Sequence, residues 1–316
     1  MDTHLTVRGR ELPLGLSAAC MILIAGGLAP SLGPGTPRSA EAAPGAIRLT
    51  AAGEGQKVRY GRRVSIKGFV APRAAGRQVK LEYALEGRRF RAVASATTTS
   101  DGSYRFAVRA VRSGSYRAVA QAGAAVSGER RVIVVAKLAG RSTRHVLGER
   151  GIKVRGRLLP RVRGRAIRLQ VRTRAGWRTV DRTRTRGRGR FRASFRPTRV
   201  GVYRLRVRFP GDRTAAGASD RLRKAYVYRA GHASWYGPGF WGNRTACGGA
   251  LSPGRLGVAN KSLPCGTRVT FRYRGRSVTV PVIDRGPFTG GREWDLTAAT
   301  KRRLGFGQVG VVWSTR

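Results

Sequence analysis

The chain has 316 residues, of which 41% are hydrophobic and 8% aromatic, enough for two or three folded domains and too much for wholesale disorder. Its charge is unusual, because 64 Lys and Arg residues against 15 Asp and Glu residues give a net charge of +49. The scarcity of carboxylates excludes acidic calcium or magnesium cages, and three Cys and three His without CxxC or HExxH spacing predict no metal and no cofactor.

The first 42 residues have the features of an export signal peptide. Arg8 and Arg10 precede an apolar stretch, residues 12–29, and Ala40-Glu41-Ala42 offers small residues to a signal peptidase. We therefore expect a secreted protein. The alternative is a membrane anchor formed by an uncleaved N-terminal segment, since about 18 apolar residues can just span a bilayer.

The cysteine count points to a disulfide. If Cys20 is removed with the signal peptide, Cys247 and Cys265 remain. An even number of cysteines outside the cell predicts that these two are bonded to each other. Two buried free thiols are the alternative.

Residues 45–229 indicate two copies of one unit. Apolar and polar residues alternate with a period of two, as in Val79-Leu81-Tyr83, and turn signals such as Ser100-Asp101-Gly102 separate the runs. With no helical segment, the pattern predicts an all-β fold with two tandem Ig-like β-sandwich domains, residues 45–136 and 137–229. Matched positions 88 or 87 residues apart include Gly68 and Gly156, Pro72 and Pro160, Gly76 and Gly164, Tyr104 and Phe191, and Tyr116 and Tyr203.

The second copy carries arginine at alternate positions. Arg204, Arg206 and Arg208 share one predicted strand. Earlier in the chain, five more arginines occupy every second position from Arg182 to Arg190. Strand spacing predicts that they form a cationic stripe on one face. The stripe would adhere to an anionic wall polymer outside the cell, or it merely solvates the face of a chain with biased composition. We expect no nucleic-acid binding, since no aromatic residues on that face interleave with the arginines.

After residue 230 aromatic residues and glycine become dense, and acids become rare. From residue 232 to the C-terminus the only carboxylates are Asp284, Glu293 and Asp295. Asp284 follows an alternating strand, residues 277–283, and opens a turn, a position from which scaffolds present catalytic groups. An Asx-turn bond to its own backbone, or pairing with Arg285, is the alternative.

Asp295 precedes a helical run that ends before Gly305. Asp at the N-cap and Gly at the C-terminus are typical helix boundaries, so Asp295 is interpreted as a capping residue. A catalytic role is the alternative for Asp295. Glu293 is expected at the surface, and His232 is expected to be solvated.

Five motifs from residue 232 onward resemble, in order, the RlpA (rare lipoprotein A) family of bacterial double-psi β-barrel domains. The resemblance covers about 85 residues and none of the repeats. The motifs are Ala233-Ser234-Trp235-Tyr236-Gly237, Asn243-Arg244-Thr245-Ala246-Cys247-Gly248, Leu263-Pro264-Cys265-Gly266-Thr267-Arg268-Val269, Asp284-Arg285-Gly286-Pro287-Phe288 and Asp295-Leu296-Thr297.

The resemblance implies a six-stranded double-psi β-barrel over residues 232–316 with a carbohydrate groove. Some family members are lytic transglycosylases that cut peptidoglycan glycan strands, which implies an exported, cell-wall-associated protein with Asp284 and Asp295 as the catalytic candidates. In related barrels an Asp in the position of Asp295 is the important acid. Expected substrate-binding residues are Trp235, Tyr236, Trp241, Thr245, Asn260 and Arg285. For the three aromatic residues, packing in the barrel is the alternative.

The sequence departs from the family pattern at two positions. Gly249 stands where active members carry Glu, and Asn260 stands where they carry His. Asn can hydrogen-bond to a substrate but cannot relay a proton, and Gly removes a carboxylate outright. The rival hypothesis is therefore a non-catalytic peptidoglycan-binding or expansin-like wall-loosening protein.

Overall fold

The computed structural model describes residues 47–51, 55, 57–120 and 123–316. The predicted signal peptide, residues 1–42, lies outside these residues. The regular secondary structure of the described chain is almost entirely β-strand, which confirms the all-β fold class. Its one α-helix has seven residues, and no helix in this part of the chain combines the length and apolarity needed to cross a bilayer.

The N-terminal strands form a β-sandwich. A three-stranded sheet, β1-β3-β6, faces a second sheet in which β5, β4, β7 and β9 are neighbours, with β2 beside β9 and β8 beside β7. Ile66 and Leu81, from opposite sheets, are fully buried in the core between them. The strands are β1 (Ile47–Ala51), β2 (Lys57–Arg59), β3 (Arg63–Val70), β4 (Gln78–Ala84), β5 (Arg91–Thr97), β6 (Ser103–Arg109), β7 (Gly114–Ala120), β8 (Ala125–Val126) and β9 (Arg130–Val135).

The next strands form a second sandwich with its own core. The sheet β10-β12-β15 faces the run β14-β13-β17-β18, and Ile152, Leu169 and Phe209 are buried in the core. Strand β11 pairs with β19, as does β16. The strands are β10 (Lys137–Ser142), β11 (His145–Leu147), β12 (Ile152–Leu159), β13 (Ala166–Thr173), β14 (Gly176–Arg184), β15 (Arg190–Phe195), β16 (Gly201–Tyr203), β17 (Leu205–Asp212), β18 (Ala215–Arg221) and β19 (Ala225–Tyr236).

The prediction of one cationic stripe in the second copy is wrong. Strand β14 ends at Arg184, a 3₁₀ turn spans Gly187–Gly189, and β15 starts at Arg190 in the other sheet. The turn sends the chain across the sandwich, and Arg188 adopts the left-handed conformation there with φ 58°. The arginines from Arg182 to Arg190 are therefore divided between two sheets.

An aromatic residue does interleave with the arginines on the face of β13, β14 and β17, contrary to the prediction. The guanidinium of Arg206 lies 4.3 Å from the ring centroid of Trp177, and that of Arg172 lies 5.8 Å from it. Arg206 also donates to Gln170 Oε1 at 2.7 Å. These cation–π contacts engage part of the cationic surface internally.

The C-terminal strands close into a six-stranded barrel. The ring runs β19-β23-β20-β22-β21-β24 and closes through pairing of β24 with β19. The pairs of β19 with β23 and of β20 with β22 are parallel, and the other four pairs of the ring are antiparallel. Trp294, Phe271 and Leu296 are fully buried in its core. The elements are β20 (Val258–Ala259), β21 (Arg268–Tyr273), β22 (Arg276–Asp284), β23 (Trp294–Thr297), α1 (Ala298–Leu304) and β24 (Gly310–Ser314).

Strand β19 belongs to both the second sandwich and the barrel. Its first residues pair with β11 and β16, and its later residues, from Arg229 onward, pair with β24 and β23. Tyr228, at the transition, is fully buried, and its hydroxyl lies 2.8 Å from His145 Nδ1. Beside it, Arg229 forms an ion pair with Glu293. The chain thus enters the barrel without an irregular linker, while the domain boundaries predicted from the sequence stay predictions.

Candidate active-site cleft

A cleft of about 680 Å³ opens on one side of the barrel. It brings together six of the residues predicted from the sequence: Trp235, Tyr236, Thr245, Asp284, Arg285 and Asp295. The exposed rings of Phe240 and Phe288 also line it, as do Arg244 and Asn243. Carboxylates, aromatic rings and a cation in one cleft are suited to binding a polar ligand with flat apolar faces, such as a sugar chain.

Asp284 ends strand β22 and is held by backbone donors. Its Oδ1 accepts hydrogen bonds from the backbone N–H groups of Ala246 and Arg285, both at 2.9 Å. The bond from Arg285 is the local turn bond expected as an alternative, and the bond from Ala246 fastens the loop that carries Cys247. These two donors fix the orientation of the carboxylate toward the cleft.

Asp295 lies in strand β23 and does not cap the helix, contrary to the interpretation from the sequence. The strand continues to Thr297, whose Oγ1 accepts the hydrogen bond of the Thr300 backbone N–H at helix α1. The expected C-terminal Gly305 is confirmed, with φ 67°. Because Thr297 caps the helix, the carboxyl of Asp295 does not, and it lines the cleft instead.

The environment of Asp295 favours its protonated form. Burial raises the pKa of this carboxyl, and the nearby Asp284 raises it further, while Ser234 and Arg292 act in the opposite direction. The Ser234 hydroxyl, which is buried in β19, donates to Asp295 Oδ1 at 2.8 Å. A carboxyl with a raised pKa in a cleft is a candidate general acid.

The two carboxylates lie on either side of one residue. Ala259 in β20 pairs with Asp284 on one neighbouring strand and with Asp295 on the other. The register of β20 and β22 shifts by one residue here, so Asp284 rather than Ile283 pairs with Ala259. Neighbouring strands are about 4.8 Å apart, so the Cα atoms of the two aspartates are separated by about 10 Å.

Tyr236 places a buried hydroxyl beside these carboxylates. The hydroxyl is buried and interacts with the carboxylate of Asp284 through charge and a hydrogen bond. Burial raises the pKa of Tyr236, and the charge of Asp284 raises it further, followed by that of Asp295. This phenol therefore keeps its proton and is a hydrogen-bond donor to Asp284 in the cleft.

The other predicted aromatic residues differ in their surroundings. Trp235 lines the cleft, with Lys301 Nζ 3.5 Å from its ring centroid and its indole N–H donating to Gln308. Trp241 does not line the cleft; it packs so tightly over Gly237 that a Cβ there would lie 2.6 Å from the Trp241 ring. The predicted contact of Trp241 with substrate stays a prediction, and its ring is not among the residues that line the cleft.

Arg285 contacts the disulfide and forms no ion pair with a carboxylate in the part of the chain that the structure describes. Cys247 and Cys265 are bonded, with a Cα–Cα distance of 5.6 Å across 18 residues, as predicted. The guanidinium Nη2 of Arg285 lies 3.4 Å from Cys265 Sγ, and Nη1 lies 3.5 Å from the carbonyl oxygen of Asn260. The cation at this edge of the cleft is therefore positioned by the disulfide.

Asn260 and Thr245 use their side chains within the fold. Asn260 donates to the Glu293 carbonyl at 3.1 Å and accepts from the backbone N–H groups of Ser262 and Leu263, and it does not line the cleft. Thr245 lines the cleft, but its hydroxyl donates to the Gly248 carbonyl at 2.9 Å. Both residues stabilise loops that border the cleft.

The space at Gly249 is partly taken by an arginine. A Cβ built on Gly249 would lie 3.2 Å from Arg255 Nη1, and Gly249 has φ 75°. Arg255 donates to the carbonyls of Ala250 and Gly248, both at 2.8 Å. A cation thus fastens the loop at the position where the resemblance leads one to expect a carboxylate.

Sequence reasoning missed Ser234 and the exposed rings of Phe240 and Phe288 as site residues. Phe288 is 79% exposed and Phe240 is 55% exposed, although both are large apolar side chains. The signal that could have identified them is an aromatic residue inside a Gly- and Pro-rich turn, where no core position is available. Ser234 lies in a recognised motif, but only the pairing of β19 with β23 brings it to Asp295.

The comparisons with known proteins concern this barrel. A family model described as lytic transglycolase matches residues 228–313. A protein of Synechocystis sp. named probable endolytic peptidoglycan transglycosylase RlpA is 51% identical over 85 residues, which cover 26% of this chain and 26% of that protein. The endolytic peptidoglycan transglycosylase RlpA of Neisseria meningitidis is 42% identical over 85 residues, covering 26% of this chain and 36% of that protein.

The chain therefore spans about a third or less of the length of these relatives. Among solved structures, a tetra-tandem repeat from a large adhesion protein is similar to 76% of this chain, at 14% identity and a TM-score of 0.37. The similar part makes up 63% of that structure. The family match and the two relatives coincide with the closed six-stranded barrel and its cleft. Residues 228–313 are an RlpA-like double-psi β-barrel domain.

Proposed function

We propose that this is an exported cell-wall protein whose barrel is a lytic transglycosylase acting on peptidoglycan glycan strands. One observation carries the proposal: in the cleft Asp295, a half-buried carboxyl with a raised pKa, lies across Ala259 from Asp284. The names of the relatives support the same substrate class. Their work on the wall also supports a location outside the cytoplasm.

In the proposed mechanism Asp295 acts first as an acid and then as a base. Its proton passes to the glycosidic oxygen as the bond to C1 of N-acetylmuramic acid breaks. The carboxylate left behind then takes the proton of the muramic C6 hydroxyl, whose oxygen closes on C1 to give a 1,6-anhydro end. Proton and charge balance without an added water, so one carboxyl group serves both half-steps.

Asp284 and Tyr236 support this step from neighbouring strands of the barrel. The Asp284 carboxylate, fixed by two backbone N–H donors, would stabilise the positive charge that develops at C1. The hydroxyl of Tyr236 would hold the Asp284 carboxylate in place by donating a hydrogen bond to it. The rings of Trp235, Phe240 and Phe288 would stack on sugar faces along the cleft.

The second candidate is a non-catalytic glycan-binding or expansin-like wall-loosening protein. It is favoured by Arg255, which partly fills the place of the family carboxylate at Gly249, and by Asn260, whose side chain makes three hydrogen bonds to loop backbone. The same cleft would then bind the strand without cutting it.

For the second sandwich we propose adhesion to anionic wall polymers, as its charge suggests, and no role in nucleic-acid binding, because the proposed location is outside the cell. This adhesion would hold the barrel at the wall. It requires no residue of the cleft.

Digestion of purified peptidoglycan, intact and stripped of peptides, separates the two candidates. The proposal predicts 1,6-anhydromuramyl products by mass spectrometry with the wild type, and their loss with Asp295→Asn or Asp284→Asn. Wall sedimentation run in parallel reports binding. Binding without products by the wild type would reject the enzyme in favour of the binding module.

A further inference from the structure

Arginines face one another across three neighbouring strands of the second sandwich. Arg155 in the central strand β12 pairs with Arg141 on β10 and with Arg192 on β15. Two residues further along β12, Arg157 pairs with Arg190. All five side chains lie on the solvent face of the sheet β10-β12-β15, because the alternate residues of these strands, such as Val154 and Leu158, are buried in the core.

These arginines line a groove of about 1080 Å³ that includes no carboxylate among the residues described. None of the five has a hydrogen bond or ion pair to a side chain within the described chain. Like charges directly opposite each other destabilise a sheet. The paired arginines therefore repel each other, and a bound anion would reduce this repulsion.

The first sandwich provides an internal comparison. At the corresponding place in the sheet β1-β3-β6, Lys67 pairs with Arg105 on one side and with Thr50 on the other. That groove also includes the carboxylate of Asp101. A composition bias would act on both sandwiches alike, so it does not explain why continuous rows of arginine occur in only one of these two sheets.

We propose that the groove on β10-β12-β15 is a binding site for a linear phosphodiester polymer of the cell envelope. Arginine offers a planar fork that binds phosphate through two hydrogen bonds. The two rows are about 7 Å apart along the strands, so successive phosphates of an extended chain can each meet a row. This inference rests on the adhesion that we propose for the second sandwich, and it is independent of the barrel's activity.

The groove lacks the features that recognise nucleic acid. Phe191 is the one aromatic residue in its lining, and it is 1% exposed. Stacking of bases needs exposed rings interleaved with the cations. The ligand expected here is therefore a phosphodiester chain without bases.

The test measures binding of fluorescent poly(glycerol phosphate) to the whole mature protein, with equally charged polyglutamate and single-stranded DNA as competitors. The variant Arg155→Gln/Arg192→Gln removes two of the three arginines in one row and leaves Arg141, and we expect affinity to fall about tenfold or more. The matched control Lys67→Gln/Arg105→Gln removes two paired charges from the first sandwich, and we expect less than a twofold change. Thermal unfolding verifies that both variants fold, and the first should be at least as stable as the wild type.

Each outcome either supports or overturns the proposed phosphodiester site. Equal losses in the two variants would mean that net charge alone binds the polymer, and would overturn the site. Equal or better competition by polyglutamate or by DNA would overturn the phosphodiester assignment. Because no cleft residue is altered, loss of transglycosylase activity would not affect the result.

Discussion

The hydroxyl of Ser234 donates a 2.8 Å hydrogen bond to Oδ1 of Asp295, between two paired strands of the barrel. This bond is the main contact that lowers the pKa of Asp295 against the effect of burial. Ser234 is 3% exposed, so water cannot replace its hydroxyl without rearrangement. The serine therefore sets how readily the proposed acid releases its proton.

Ser234→Ala should raise the pKa of Asp295, since it removes a hydrogen bond to the charged form. If protonated Asp295 is the general acid, the alkaline limb of the pH profile of kcat/KM should move to higher pH. Ser314→Ala is the matched control, because that serine is also buried in the barrel and donates to the Arg316 carbonyl. An unchanged alkaline limb in Ser234→Ala would remove Asp295 from the acid role.

Asp295→Asn should abolish activity and stabilise the fold at neutral pH. Burial raises the folded-state pKa of Asp295 above its unfolded value, so stability that is fully present below the unfolded pKa is lost as the pH rises through the folded pKa. Asparagine does not ionise and still accepts the bond from Ser234. Denaturant unfolding at several pH values should show the variant more stable than wild type at pH 7 and the difference vanishing below the unfolded pKa. A variant less stable at pH 7 would contradict this account of burial.

Removal of the disulfide should loosen the edge of the cleft. Closing a loop across 18 residues contributes about 3 kcal/mol to the free energy of unfolding. Cys247→Ser/Cys265→Ser should lose about this amount in denaturant unfolding and should bind glycan more weakly, because Arg285 rests on the two sulfurs. Dithiothreitol should lower the stability of the wild type but not that of the double variant; equal sensitivity would show that the bond does not act in this way.

The exposed rings at the rim should contribute to glycan affinity. Phe288→Ala and Phe240→Ala each remove a largely exposed ring, so we expect KM to rise about tenfold with little change in stability. Val93→Ala, an exposed apolar residue in the first sandwich, is the control and should leave KM unchanged. Unaltered KM in both phenylalanine variants would mean that the rings serve another purpose.

The sequence predicted the strand that ends at Asp284, because alternation and a following turn are local signals. The interpretation of Asp295 as the N-cap was wrong, because an Asp before a helical run fits an N-cap as well as a strand end. The choice was made by pairing of β23 with β19 and β20, and by Thr297 taking the cap. Such pairing is long-range and leaves no local mark in the sequence.

The arginine-rich segment, residues 182–190, is a second case in which a local pattern does not predict the pairing of strands. Alternation of arginine continues through the turn at Gly187–Gly189, so the pattern alone does not reveal that the chain changes sheets there. The rows formed by Arg155 with Arg141 and Arg192 come from three separate strands and are visible only in the register.

The most direct test of the central claim is to digest peptidoglycan in water enriched in heavy oxygen (oxygen-18) and to determine the masses of the new muramic ends by mass spectrometry. Closure of the C6 hydroxyl on C1 predicts 1,6-anhydro ends that carry no heavy oxygen, in amounts that fall to background with Asp295→Asn. Hydrolysis would give reducing ends labelled at C1. Labelled ends, or none at all from wild-type protein that sediments with the wall, would contradict the assignment of this barrel as a lytic transglycosylase.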